Sequence, residues 1–578
     1  MGPEYRILSE RIGVGPKQPP SEPEQAGASP LRLAAVFAAS AALSLVLLEP
    51  GLALPFFSDD VPVVAANEHV HGLSARNLAA ILDPAGAPAR DTKNYAPVHL
   101  LAHALEWSLW GPDVRGYHLV NLLVHALVVT LLVALLCARG LPFAGAALAG
   151  LVFALHPANV ETVLWIFQLK TLLALLFALA ALLAHPRRPG WATACFGLAL
   201  LAKIPALFAL AVAAVWTFRA PPDRPEWRRN APWLLAWTAV ALLCGLAQLA
   251  VFERGGEIHE PLAPDLPGRI RALAMIGCRY LVMAFTGIGV SPFHEPDLAV
   301  AWTDPWWLGG LLLGALLAWR LLASLLARRE EAGWWLWAAA AYAPVSQVYR
   351  FLFPMGDRYL YLVLPGLIGG VVFAVRDAWP ALAGALAARG LRLPARPHLL
   401  PAAAAAAGAL AVAFGALTAA QARVWRSPST ISLATARNYP DGITAHYMRA
   451  VQAARRGDAA TAARELRGAL ARGFDAFMEL ESDPTFTALR GHPDYDAVLR
   501  DIAADWIATI EVRPDPTYYE LYWTAEARWL RGELEAAEAT YRRALALGGG
   551  FDPAIRERLL TLDRLRGASA GGPAPDGG

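Results

Sequence analysis

Cysteine and charge are scarce in this chain. Its 578 residues include four cysteines, Cys137, Cys195, Cys244 and Cys278, and only 17% are Asp, Glu, Lys or Arg. All four cysteines sit in apolar stretches without CxxC or Cys/His spacing, which argues against a zinc or redox centre and for small buried hydrophobes. No GxGxxG, phosphate loop or serine elbow occurs in a strand–turn–helix setting, and HExxH is absent. None of NAD, ATP or haem is therefore expected as a cofactor. The net charge of +2, with no Lys/Arg stripe interleaved with aromatics, argues against a nucleic-acid partner.

Apolar residues fill the chain instead. They make up 56% of it, with 20 tryptophans and a mean hydropathy of +0.38, as in a multi-span protein of the lipid bilayer. Residues 1–30, rich in Pro, Gly and Glu, are expected to be a disordered cytoplasmic tail before an uncleaved first span. Spans are predicted at 31–54, 117–138, 141–155, 162–184, 191–203, 205–218, 232–252, 305–327, 334–352, 359–375 and 399–421, about 11 in all. The apolar run 191–218 splits at Lys203-Ile204-Pro205, with one long bent helix as the alternative. Basic clusters at Arg187-Arg188, Arg219/Arg224/Arg228/Arg229, Arg328-Arg329 and Arg376/Arg389/Arg392/Arg396 should be cytoplasmic. They share one side only if 191–218 crosses twice or not at all, and if 270–290 lies along the outer interface or re-enters. This places the N-terminus on the cytoplasmic side of the inner membrane and the C-terminus in the periplasm.

After Gln421 the composition turns charged and Ala-rich. In 422–565 Tyr447, Ala450, Arg456-Gly457, Ala462 and Leu470 recur about 75 residues later as Tyr522, Ala525, Arg531-Gly532, Ala537 and Leu545, near twice the tetratricopeptide period plus an insertion. Each unit reads as helix, Arg-Gly-Asp/Glu turn, helix, with a degenerate pair between them near 480–499. Residues 566–578 read as a disordered tail. The fold class is thus all-α: transmembrane helices over 31–421, with a large outer loop at 55–116, followed by a tetratricopeptide-like solenoid.

Asp59-Asp60 follow the first span directly. Two carboxylates at the water boundary, with low dielectric on one side, could act as a general base or hold a divalent cation, and equally could be a solvated cap. Tyr95 belongs to a polar patch near the end of the same loop. Asp357, Arg358, His156 and Glu161 flank apolar runs, and His118, Asn121 and His125 share one helical face. Lys203 is distinctive because its flanks are apolar and it has no partner nearby in sequence.

Phe57-Ser58-Asp59-Asp60, Asn94-Tyr95-Ala96-Pro97, LEWSLWG at 105–111, Gly116 to His125, His156 to Ile166, Leu201-Ala202-Lys203 and Asp357-Arg358-Tyr359-Leu360-Tyr361-Leu362 follow one another in order. Together they resemble GT-C membrane glycosyltransferases fused to tetratricopeptide repeats, the transmembrane-and-tetratricopeptide O-mannosyltransferases and their bacterial relatives. The resemblance implies transfer of a polyprenyl-phosphate-linked sugar to an acceptor protein or glycan at the outer face, with repeats that engage the acceptor or another protein. It implies a catalytic role for Asp59 and Asp60, and donor-phosphate or substrate contacts from Lys203, Arg358, Asp357, His156, Glu161, Tyr95, His118 and Asn121. A metal requirement stays open, with Asp59 and Asp60 as its only candidate ligands. The chain departs from the family after Trp165-Ile166, where Phe167-Gln168-Leu169-Lys170-Thr171 stands in place of Glu-Arg-Lys followed by Asp or Asn.

Overall fold

The computed structural model describes residues 28–219, 225–255, 262–348, 353–388 and 396–570, and every regular element among them is helical. The expected tail lies outside the described residues over 1–27. Helix α1 is Pro30–Leu48, started by the Ser29 side chain, which accepts from the Arg32 N–H, and by a proline at its first turn. The 55–116 loop folds into α2 (Ala75–Leu82), α3 (Ala87–Asp91) and α4 (Pro97–Trp110). Then come α5 (Val114–Ala138), α6 (Phe143–Ala154), α7 (Asn159–Leu164), α8 (Leu169–Ala184), α9 (Pro189–Ala202), α10 (Phe208–Arg219), α11 (Pro225–Gly255) and α12 (Leu266–Thr286). The apolar part ends with α13 (Pro305–Leu326), α14 (Glu331–Tyr342), α15 (Leu360–Ala388) and α16 (Arg396–Val424).

Seven helical segments among the described residues are long and apolar enough to cross a membrane, and three more, Phe143–Ala154, Pro189–Ala202 and Ile204–Arg219, are apolar but shorter. The chain is a multi-pass membrane protein. Two expected spans are interrupted. The 162–184 run breaks at Trp165, which is extended and followed by a 3-10 turn over Ile166–Gln168 before α8 begins. Over 334–352 the helix stops at Tyr342, followed by a turn containing Pro344, whose ring removes a backbone donor.

The run at 191–218 folds back on itself. Lys203 is extended, and Pro205 opens a 3-10 turn before α10. Trp237 of α11 stacks on Phe196 and donates to Thr193 of α9, while Phe218 at the end of α10 meets Trp227 at the start of α11. Arg229 there also donates to the Pro186 carbonyl just before α9. Both outer ends of the α9–α10 pair therefore lie beside the start of α11, and Lys203 is the apex of a hairpin.

That geometry gathers the described basic clusters at one end of the bundle. Glu330 takes Arg139 at 2.6 Å and Arg219 at 2.7 Å, Glu331 takes Arg320 at 2.7 Å, and Arg376 approaches Gly140. At the opposite end, Trp425 just beyond α16 packs on Phe57 and Trp165. Helix α12, expected to lie along the interface, holds the Val300 carbonyl through Arg271 at 2.8 Å and carries Arg279 over Trp306, so it engages the segment where α13 begins.

The remaining helices are α17 (Pro428–Asn438), α18 (Ile443–Arg455), α19 (Ala459–Leu470), α20 (Phe477–Ser482), α21 (Pro493–Glu511), α22 (Tyr518–Arg531), α23 (Leu534–Leu547) and α24 (Asp552–Ala570). The recurring residues form two helix pairs, α18–α19 and α22–α23. Buried Ala450, Ala462 and Ala469 bring the first pair close, and Ala525, Ala537 and Ala544 do the same in the second. Gly457 and Gly532 occupy the turns at φ +71° and +80°, where a side chain would be strained. The expected degenerate pair is instead one six-residue helix, a 3-10 turn over Pro484–Leu489, and the long α21. The last helix runs on to Ala570, so 566–570 is helical, while 571–578 lies outside the described residues.

These helices dock on the end of the bundle away from the arginines. Lys93 of the 55–116 segment donates to Glu520 at 3.0 Å, Asn438 to Ser291 at 3.0 Å and Thr444 to Glu295 at 2.5 Å.

Candidate active site

A short interrupted stretch, Trp165 to Thr171, organises a cluster of charged side chains at this end. Asn121 on α5 donates to the carbonyls of Val163 and Trp165, both at 3.2 Å, and so holds the break open. The turn then places three cations. The Arg358 guanidinium lies over the Trp165 ring at 5.2 Å, between Phe353 and Tyr359, and bonds Glu161 at 2.5 Å. Lys170 Nζ rests on the Phe167 ring, 3.5 Å from its centre. Gln168 accepts from Thr171 at 2.8 Å, and Lys203 donates to Thr171 at 2.7 Å. Lys203 lies within electrostatic reach of Lys170, Arg358 and Glu161. Among the described residues neither lysine is paired with a carboxylate, an expensive arrangement for a buried ammonium unless an anion arrives.

The acidic doublet divides. Asp60 is fully buried, and its two oxygens accept from the N–H groups of Phe167 at 2.8 Å and Phe57 at 3.3 Å. Burial pushes its pKa up to about 8 despite those bonds. Asp59 is half-buried and is the member that acts electrostatically on Lys170, Arg358 and Tyr359. Ser58, just before the pair, is held at φ +49°, an unusual conformation for a residue with a side chain that turns the doublet toward the cluster. Each Asp60 oxygen accepts one backbone N–H. Among the described residues no group of three or more His, Cys, Asp or Glu is arranged to hold a metal ion.

Other expected residues frame the cluster rather than join it. His118 bonds the Leu54 carbonyl at 2.9 Å, and His125 bonds the Tyr361 hydroxyl at 2.8 Å. His156 meets the Ala284 carbonyl at 3.1 Å and accepts from the Ala158 N–H, so both ring nitrogens are engaged. Tyr95 is farther out, with its hydroxyl on the Leu82 carbonyl and its N–H on Gln248 of α11. Asp357 faces away from its neighbour Arg358. It takes His294 at 2.7 Å and the Ser291 N–H at 3.0 Å, and His294 continues to the Tyr439 hydroxyl at 2.7 Å. This relay ties the cation-bearing strand of residues to the C-terminal helices. Sequence reasoning did not reach it, nor the roles of Phe167 and Lys170, because long-range partners such as His294 and Tyr439 leave no local spacing to read.

Fold and site together define an all-α, multi-pass membrane protein with a buried cluster of basic side chains at the end where its C-terminal helix pairs dock. Curated proteins similar to this chain bear out the resemblance read from its motifs. Over 138 residues, 23% of this chain, it is 31% identical to Protein O-mannosyl-transferase TMTC3 of Homo sapiens. Over 156 residues, 26% of this chain, it is 35% identical to Protein O-mannosyl-transferase Tmtc1 of Drosophila melanogaster. The matched stretches span 15% and 18% of those relatives' own length. No protein-family model and no solved structure matches the chain.

Proposed function

We propose that this chain is a GT-C-type membrane glycosyltransferase that moves a sugar from a polyprenyl-phosphate donor to an acceptor hydroxyl at the periplasmic face of the inner membrane. The observation that carries the reading is the charge of the cluster, where Lys170, Lys203 and Arg358 face Asp59 and Glu161. Neither lysine has a carboxylate partner of its own among the described residues, so an arriving phosphate favours the ammonium form of both. Asp59 takes the proton of the acceptor hydroxyl as that oxygen bonds the anomeric carbon. The anomeric carbon–phosphate oxygen bond breaks, and the electron pair leaves with the polyprenyl phosphate. The carrier gains one negative charge just as protonation of Asp59 removes one, so the net charge of the site is unchanged by the step.

An apolar groove of about 570 Å³ between α12, α13, α14 and α15 supports a lipid donor. Leu273, Leu281, Gly314 and Ala318 line it. Tyr280, also on its wall, accepts from the Gly356 N–H at 2.8 Å, two residues from Arg358. A prenyl chain in this groove would bring its phosphate to the arginine. The tetratricopeptide-like helices, tied to the site through Tyr439 and His294, are suited to presenting an acceptor protein or glycan, or to recruiting another protein.

The test is transfer by the purified full chain in lipid vesicles, together with mass spectrometry of envelope glycoconjugates. Asp59→Asn is expected to eliminate the sugar-bearing product while membrane abundance stays unchanged. Undiminished product from that variant would remove the catalytic reading and leave a membrane-anchored scaffold.

A further inference from the structure

The outer-loop helix α4 carries a buried polar chain to which the reaction above assigns no role. His99, His103 and Glu106 lie on one face of α4, at spacings of four and three residues. Glu106 Oε2 is 2.6 Å from His103 Nδ1, and His103 Nε2 is 2.8 Å from His99 Nε2. All three are buried, and the second oxygen of Glu106 has no partner among the described residues, so the carboxylate is committed to His103.

The chain ends on Phe167. The His99 ring meets the Phe167 ring edge-on at 5.5 Å. The Phe167 N–H is given to Asp60 at 2.8 Å. The protons along the chain follow from the pairing of the rings. Of the two facing Nε2 atoms one donates and the other accepts, and with His103 Nε2–H as the donor a neutral His103 presents Nδ1 as an acceptor to Glu106. Burial agrees with that pattern, driving the His99 imidazole well below its ordinary pKa and lifting the Glu106 carboxyl above its own.

Phe167 is thus held by its N–H and by its ring edge against His99, and its ring face carries Lys170. A shift of this one residue moves Asp60, Lys170 and the turn leading to Thr171 and Lys203. We propose that Glu106, His103 and His99 act as one positioning unit that sets Phe167, and through it the lysines that bind the donor's phosphate. The inference rests on the phosphate reading of the cluster given above. None of the three touches the reacting atoms. They act as an outer support, as the partners of metal ligands do.

Binding of farnesyl phosphate and of farnesol to the purified full chain in nanodiscs tests this. The wild-type chain should prefer the phosphate. His99→Phe keeps the ring and its volume but loses the bonds, and Glu106→Ala frees His103. Each should weaken farnesyl phosphate binding about tenfold, as small displacements of positioned groups do, and leave farnesol unaffected. Glu106→Gln can donate its amide N–H to His103 Nδ1 and should stay near wild type. Unchanged phosphate preference in His99→Phe and Glu106→Ala would overturn the positioning role and leave the phosphate reading standing. A wild-type chain without phosphate preference would overturn both. Parallel loss of farnesol binding in the variants would replace positioning by a general packing role.

Discussion

Replacing Asp60 with asparagine separates the two members of the acidic doublet. Burial raises the Asp60 pKa from 3.8 to about 8, so the folded chain holds this proton more tightly than the unfolded chain. The resulting stability is fully present below about pH 4 and is lost as the pH rises through about 8. Each pKa unit corresponds to about 1.4 kcal/mol, so a rise of this size bounds the effect near roughly 5–6 kcal/mol. The amide oxygen of the introduced asparagine can still accept the Phe167 N–H, and the amide has no proton to give up. Asp60→Asn should therefore match the wild type in acid and exceed it in base. Unfolding midpoints of the full chain in detergent, followed by tryptophan fluorescence from about pH 5 to about pH 9, read this directly. Parallel curves for the two proteins would refute the reasoning. The same pair of variants divides the chemistry. Asp59→Asn should lower transfer by at least about 100-fold, the range of a lost general base, whereas Asp60→Asn should keep most of it near neutral pH.

Further perturbations address the cations and the docking. Lys203→Ala should raise the KM for the donor about tenfold by deleting a charge-assisted phosphate contact, with the acceptor KM unmoved in initial-rate series. Equal effects on both would count against a phosphate role. Glu161→Gln strands the buried Arg358 without its counter-charge, at a cost of roughly 3–5 kcal/mol, and should appear as loss of the monodisperse peak in size-exclusion chromatography. Lys93→Glu sets two like charges at Glu520, and hydrogen exchange should quicken in the first turn of α22 while the bundle is unaffected.

Apolar runs and basic clusters were enough to read most of the bundle, because the cost of burying backbone and charge in lipid acts locally along the chain. The break at Lys203 was legible for the same reason, since Pro205 and a lone lysine in an apolar run are both local signals. Repeated Ala and Gly positions marked the two helix pairs, because close packing and positive φ each constrain a single residue. The interruption at Trp165 was not legible. Asn121, 44 residues away in sequence, is what satisfies its carbonyls. The departure from the family pattern at Phe167 looked like lost charge, yet the aromatic ring there supports Lys170, a contact visible only once the turn is folded. The division of labour between Asp59 and Asp60 was hidden as well, because adjacent identical residues differ only in what surrounds them.

The short helices of the bundle have a consequence for the membrane itself. Helices α6, α10 and α14 have 12 residues each and α9 has 14, rising about 18–21 Å at 1.5 Å per residue, against a hydrocarbon layer of about 30 Å. Lipid that meets these helices directly must thin to match them. If the donor is the lipid-linked sugar proposed above, its phosphate has less far to rise toward Lys203 where the bilayer is thin. Transfer measured in vesicles of longer-chain lipids should then be slower.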